Sequence, residues 1–204
     1  MNLSAVNRLT LTPLTGRWFR AIPPSYWPRV GNTRYTRRVY GRFSPGKDGV
    51  PPFETLSFGE SAEVTSLECS LVFFDRRSNL SYPNPDAGTH LVLASDVVLQ
   101  QTADLTTADS LATLETNVQE LTGDWAIYNG LRHRPHLASL ARVAPTQELG
   151  QRLFGVPGLE GFKVFSARKP ECLCLVVFPQ KLLPGSSVSF LNAPKPPKTI
   201  HGKR

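Results

Sequence analysis

From Arg17 to Ile22 the chain reads "RWFRAI", with an alternation that predicts a strand. Trp18 and Arg20 share one face of it, Phe19 and Ala21 the other. Pro23 and Pro24 stop the pattern, and residues 25–53, rich in Pro, Gly and Arg, predict a long loop. "ETLSF" (54–58) predicts a second strand. Ser61 then stands as an N-cap for a helix over 62–70, with Glu63 in its first turn. "LVFF" continues the apolar character, and "SNLSYPNPDAG" predicts a loop. "THLVLASDVVLQ" predicts a strand or strand pair. Leu111, Leu114 and Val118 recur at helical spacing, which predicts a helix over 108–121. "PTQELGQRLFG" predicts a short helix, with Pro145 at its start and Gly155 as its stop. "GFKVFS" and "CLCLVVF" are expected as the last two strands. Helices and strands mix without regular alternation and without an internal repeat, which favours an α+β domain over a doubly wound sheet.

The 204 residues suit one domain, and 40% apolar content is enough for a core. Residues 1–15 are expected as an N-terminal arm, 16–185 as the domain, and 186–204 as a basic tail whose end, "NAPKPPKTIHGKR", is expected to be mobile. The net charge of +7 favours an anionic partner without choosing among nucleic acid, a phosphate-bearing small molecule and an acidic protein. No aromatic residues interleave Lys195, Lys198, Lys203 and Arg204, so the tail reads as solubilising rather than nucleic-acid binding. "RYTRR" (34–38) reads as a solvated stretch, with a phosphate-binding face as the alternative. No apolar run has the length of a membrane span, and the N-terminus lacks a signal-peptide pattern, so the expected compartment is cytoplasmic. Cys69, Cys172 and Cys174 form no disulfide framework; the last two, in an apolar strand, read as buried small hydrophobes. His90, His133, His136 and His201 lack ligand spacing, and no metal is expected.

Four stretches in order resemble the RES-domain family, named for its Arg, Glu and Ser. They are "WFRAIP", ending its strand in Arg20; "YGRFSP", with Arg42 in a glycine-flanked turn and Phe43 in the aromatic slot; "LSFGESAEVTSLE", a strand, Glu-Ser turn and helix ending in Glu68; and the closing half. That half runs "TGDWAIYN", "PTQELGQRLFG", "GLEGFKVFSAR" and "CLCLVVF", with Ser166 ending its first strand. The resemblance spans about residues 16–180. It implies an ADP-ribosyltransferase-like fold, with a mixed β-sheet core and surrounding helices. It implies NAD as substrate rather than cofactor, by hydrolysis, phosphorolysis or ADP-ribosyl transfer. It also implies an antitoxin protein as partner, and leaves a homo-oligomer open. The chain departs from the family at Ser57, where a tyrosine expected to stack on nicotinamide usually stands.

The chemistry fits those residue types. The pyridinium leaving group of NAD needs no general acid, and the oxocarbenium-like transition state calls for a nearby carboxylate, a role that the resemblance gives to Glu68. Two phosphates call for a planar cationic fork, which assigns Arg20 and Arg42 as substrate binders, Arg42 with a catalytic share. Ser166 is a candidate hydrogen-bond donor to phosphate or ribose, and Phe43 and Ser57 complete the expected NAD-binding set. Each has a plain alternative: a helix-end glutamate, surface ion pairs, a turn serine, a packing ring. Trp125 reads as core, with a place lining the site as the alternative. The rival functions are a mono-ADP-ribosyltransferase acting on protein, favoured like NAD cleavage by the retained polar residues, and a RES-like domain that has lost catalysis, favoured by Ser57.

Overall fold

The computed structural model describes residues 1–204 except residue 76, 129–142, 192–197 and 203–204. His133, His136, Lys195, Lys203 and Arg204 therefore lie outside the described residues. In chain order the elements are β1 (Leu11–Ile22), β2 (Tyr40–Gly41), β3 (Ser44–Pro45), β4 (Leu56–Gly59), α1 (Ala62–Glu68), β5 (Val72–Asp75), β6 (Leu80–Pro83) and β7 (Leu91–Asp104). They continue with α2 (Ala108–Thr113), α3 (Val118–Thr122), α4 (Pro145–Gly155), β8 (Gly161–Phe165), β9 (Leu173–Val177), β10 (Ser187–Phe190) and β11 (Lys198–His201).

The main sheet has the order β1-β4-β9-β8-β7-β10-β11, and β1 also pairs with β7, so its first five strands close into a ring. Only β7 with β8 is parallel, over Thr102–Gly161 to Asp104–Lys163; the other pairs of this sheet are antiparallel, and the sheet is mixed. Strand β9 separates two cores. Cys174 and Val176 pack with Phe43, Phe53, Phe162 and Leu149 on one side; Leu175 and Val177 pack with Leu56, Phe58, Leu93 and Val97 on the other. Burial on both faces explains why β9 is apolar throughout rather than alternating.

The long β7 carries a bulge. Its register with β1 jumps from Thr102–Thr12 to Leu99–Leu14, so one extra residue stands on the β7 side. The backbone N–H groups of Gln100 and Gln101 both donate to Glu160 Oε2, at 2.6 and 2.8 Å, and Leu183 N donates to Oε1 at 2.8 Å. Glu160 is fully buried, and these three donors balance its charge.

Several expectations are corrected. Residues 1–15 are not an arm: Asn2 caps a 3-10 turn over Leu3–Arg8, Ala5, Val6 and Leu9 are buried, and β1 starts at Leu11. The helix expected over 108–121 is two helices, broken where Glu115 takes φ 47° and Thr116 N returns to Leu111 O. The loop expected over 78–88 contains β6, which pairs with β5 as a hairpin. Two further strands follow β9, and the tail residues 198–201 form β11 on β10, because Val188 and Ile200 pair across it over the second core. "RYTRR" is a 3-10 turn over Arg34–Arg38 in which Arg37 pairs with the buried Glu54 at 2.8 Å. The expected helix at 62–70 is present over Ala62–Glu68, with Ser61 Oγ accepting from Val64 N, and the expected helix at 145–155 is present over that range.

Candidate active site

A cavity of about 260 Å³ opens between strands β4 and β9, helix α1 and the 35–44 loop. Arg20, Arg42, Phe43, Ser57 and Glu68 all line it, although 48 positions separate the first from the last. Ser166 does not line it; this serine stands behind Glu68.

Arg20 comes from β1. Its Nη1 donates to Ser57 O at 2.9 Å and its Nη2 to the Tyr35 hydroxyl at 3.4 Å, which fixes the guanidinium at the cavity wall. Arg42 and Phe43 form the two-residue tip between β2 and β3. Arg42 is 9% exposed, and its Nη1 has no hydrogen-bond partner. Its guanidinium lies 4.9 Å from the centre of the Phe43 ring, which in turn meets Phe162 edge-on at 5.0 Å. A buried cation with an unmet donor is costly unless an anion arrives to fill it.

Glu68 is the last residue of α1, where the helix dipole opposes a negative charge. Two donors hold it there: Ser166 Oγ at 2.6 Å and Ala167 N at 2.8 Å, both to Oε1. Ser166 Oγ in turn accepts from Arg168 N and Lys169 N, each at 3.1 Å. With its one proton on Glu68 and its lone pairs on two amides, Ser166 has no capacity left for a ligand. Ser166, expected as a donor to phosphate or ribose, thus stands on Glu68 and outside this cavity. Helix α1 itself is set by Thr65, whose hydroxyl donates to Phe19 O at 2.8 Å and accepts from Gly59 N at 3.2 Å. A Cβ at Gly59 would stand 2.7 Å from Thr65 N, so glycine is required for this approach.

The Cys174 thiol lies between the two charged groups. Burial first, then the Glu68 charge, pushes it up to about 12, against a weaker pull from Arg42. It stays protonated at neutral pH and is no nucleophile. No ion pair within 4 Å joins Arg42 to Glu68, so cation and carboxylate face one cavity without neutralising each other. Among the described residues there is no group of three metal-ligating side chains.

Ser57 is exposed in this wall, opposite Val176 on β9. Phe58, next along the strand, is buried in the second core and borders the cavity from there. For Trp125 the cavity wall, the alternative to core packing, is where the ring stands; Tyr35 and Tyr40, not expected at the site, line it too. Those tyrosines were overlooked because "RYTRR" and "YGRFSP" draw attention to charge; their hydroxyls, on Arg20 and Asp48, are visible only in three dimensions.

No family model matches the chain, and no curated protein matches it. Among solved structures, a chain of the crystal structure of the M. tuberculosis MbcT–MbcA toxin–antitoxin complex matches with a TM-score of 0.60. The chain shares that fold. Identity is 13%, and the match covers 97% of this chain and 90% of that one. At that identity the likeness is one of fold and carries no residue role. Among the described residues, no helix is long and apolar enough to cross a membrane.

Proposed function

We propose that this protein cleaves the nicotinamide–ribose bond of NAD, as a RES-like enzyme of ADP-ribosyltransferase-like fold and the toxin of a toxin–antitoxin pair. One observation carries the reading: the buried Arg42, with an unfilled donor, lines the same cavity as Glu68, which two donors on one oxygen hold in place. Arg42 and Arg20 take the diphosphate. The cavity, small for a ligand site, takes the nicotinamide–ribose end and leaves the rest of the dinucleotide at its mouth. As the bond lengthens, positive charge grows on the ribose and the Glu68 carboxylate stabilises it. Nicotinamide leaves neutral, without a general acid. Water or phosphate then takes the ribosyl carbon, which makes the enzyme a glycohydrolase or a phosphorylase. Likeness in fold to a chain from a toxin–antitoxin complex supports the toxin role and an antitoxin partner.

Incubating the purified protein with NAD, with and without phosphate, separates the readings. Free nicotinamide with ADP-ribose marks hydrolysis, and a phosphorylated ADP-ribose marks phosphorolysis. Label transferred to protein marks the mono-ADP-ribosyltransferase alternative. Ser57, small where a stacking ring is expected, favours a domain that binds a nucleotide without turning it over. NAD left intact under every condition, in cells and in vitro, would establish that reading instead.

A further inference from the structure

Helix α4 touches the Arg42 hairpin at two places and the loop after it at a third, all along one face. Gln147, Gly150 and Gln151 stand at i, i+3 and i+4, so they share that face. Gln147 is 2% exposed. Its Nε2 donates to Gly41 O at 2.9 Å and to Ser44 O at 3.3 Å, the two carbonyls that bracket Arg42 and Phe43. Its Oε1 accepts from Ala144 N at 3.1 Å, at the start of α4. The amide orientation is therefore determined: a flip would set N–H against N–H and oxygen against two carbonyls. Three residues on, a Cβ at Gly150 would fall 1.9 Å from Phe43 O. Hairpin and helix are closer here than any side chain allows. Gln151 then pairs with Val50 in both directions, at 3.0 and 3.1 Å.

We propose that Gln147 and Gly150 are positioning residues for Arg42. They hold the hairpin backbone so that its guanidinium faces the cavity before an anion arrives. The Phe43 ring, set against Phe162, pins the hairpin from the core side; α4 pins its backbone. A cationic fork fixed beforehand loses less freedom on binding than one that must be ordered by its ligand. This inference rests on Arg42 as the diphosphate grip, and its test does not require NAD to be cleaved.

The probe is inorganic pyrophosphate, titrated calorimetrically into the full chain, beside NAD kinetics. Gln147→Met keeps the volume and removes both donations. Gly150→Ala does the opposite chemically, adding a methyl that displaces Phe43 O. Each is expected to weaken pyrophosphate about tenfold, the scale of losing one or two buried hydrogen bonds, and to raise KM for NAD more than it lowers kcat. The double variant Arg42→Ala/Gln147→Met is expected to bind pyrophosphate no more weakly than Arg42→Ala alone, since the clamp acts through Arg42. Additive losses would mean a general structural role and overturn the inference. So would wild-type affinity in Gln147→Met, or pyrophosphate binding that is absent or indifferent to Arg42→Ala. Should Gln147→Met not fold, Gly150→Ala carries the same comparison in its own double variant with Arg42→Ala. Arg42-dependent pyrophosphate binding that responds to the clamp variants, with NAD left uncleaved, would keep this inference and remove the proposed reaction.

Discussion

Two glutamates of this protein are tied to the backbone in opposite ways. Glu160, under the β7 bulge, uses both oxygens on three N–H groups from two segments and is fully buried. Glu68, at the cavity, takes its two hydrogen bonds on one oxygen and sits at the wrong end of a helix dipole. The first has three of about four acceptor sites engaged in holding strands together. The second is held firmly and still faces a cavity that holds an arginine with one unfilled donor. The same residue type is structural where its lone pairs are filled and chemically available where they are not. The arginines divide likewise by their ion pairs: each leaves one buried nitrogen without a hydrogen bond, but Arg37 has the Glu54 carboxylate at 2.8 Å and Arg42 has no carboxylate within 4 Å among the described residues.

The largest effect expected is at Glu68. Glu68→Gln retains a carbonyl oxygen for Ser166 and Ala167 but loses the charge, so NAD turnover should fall by about 10²–10³-fold with the melting temperature nearly unchanged. Nicotinamide release and a thermal melt check this together; undiminished turnover would sink the assignment. Glu160→Gln should do the reverse. Its new NH₂ group must face a backbone donor, which costs about 2–3 kcal/mol of stability, while kcat of the folded fraction stays the same. Denaturant unfolding measures that loss, and a normal midpoint would show that the bulge does not depend on the carboxylate.

Next comes the arginine contrast. Arg42→Ala should weaken NAD use by about ten- to a hundredfold, with Arg42→Lys recovering part of it, since lysine keeps the charge and loses the fork. The control is the exposed Arg38→Ala, expected near neutral; Arg37 does not serve, because its removal would leave Glu54 buried and unpaired. Equal losses at 38 and 42 would mean that bulk charge carries binding. The smallest effect is at Ser57. Ser57→Tyr should shift turnover by no more than about several-fold, the worth of one aromatic contact, and Trp125→Ala should do more harm. A clear gain in Ser57→Tyr with no loss in Trp125→Ala would show that no other ring has taken the stacking place.

Much of this was legible in the chain. Ser61 at the head of α1 and Pro145 at the head of α4 mark their helices, because caps and proline constraints act within one turn. The unbroken apolar run of β9 marks a strand buried on both faces, and a mixed fold follows from irregular element order. The candidate residues Arg20, Arg42, Phe43, Ser57 and Glu68 could be named from local motifs, but not their meeting in one cavity.

That meeting belongs to the tertiary structure. Within the ring, the pairings of β1 with β4, β1 with β7 and β4 with β9 join residues about 40 to 120 positions apart, and such pairings leave no periodic trace in the sequence. The burial of Ala5, Val6 and Leu9, the strand in the tail and the pairing of Arg37 with Glu54 all depend on surfaces supplied by distant segments. The same holds for Gln147, more than 100 positions from the carbonyls it holds, and for Ser166, whose hydroxyl reaches Glu68 rather than the cavity. Local sequence determined which residues could cap, turn or carry charge. Only packing decided which of their hydrogen bonds were filled, and so which charges remained for a ligand.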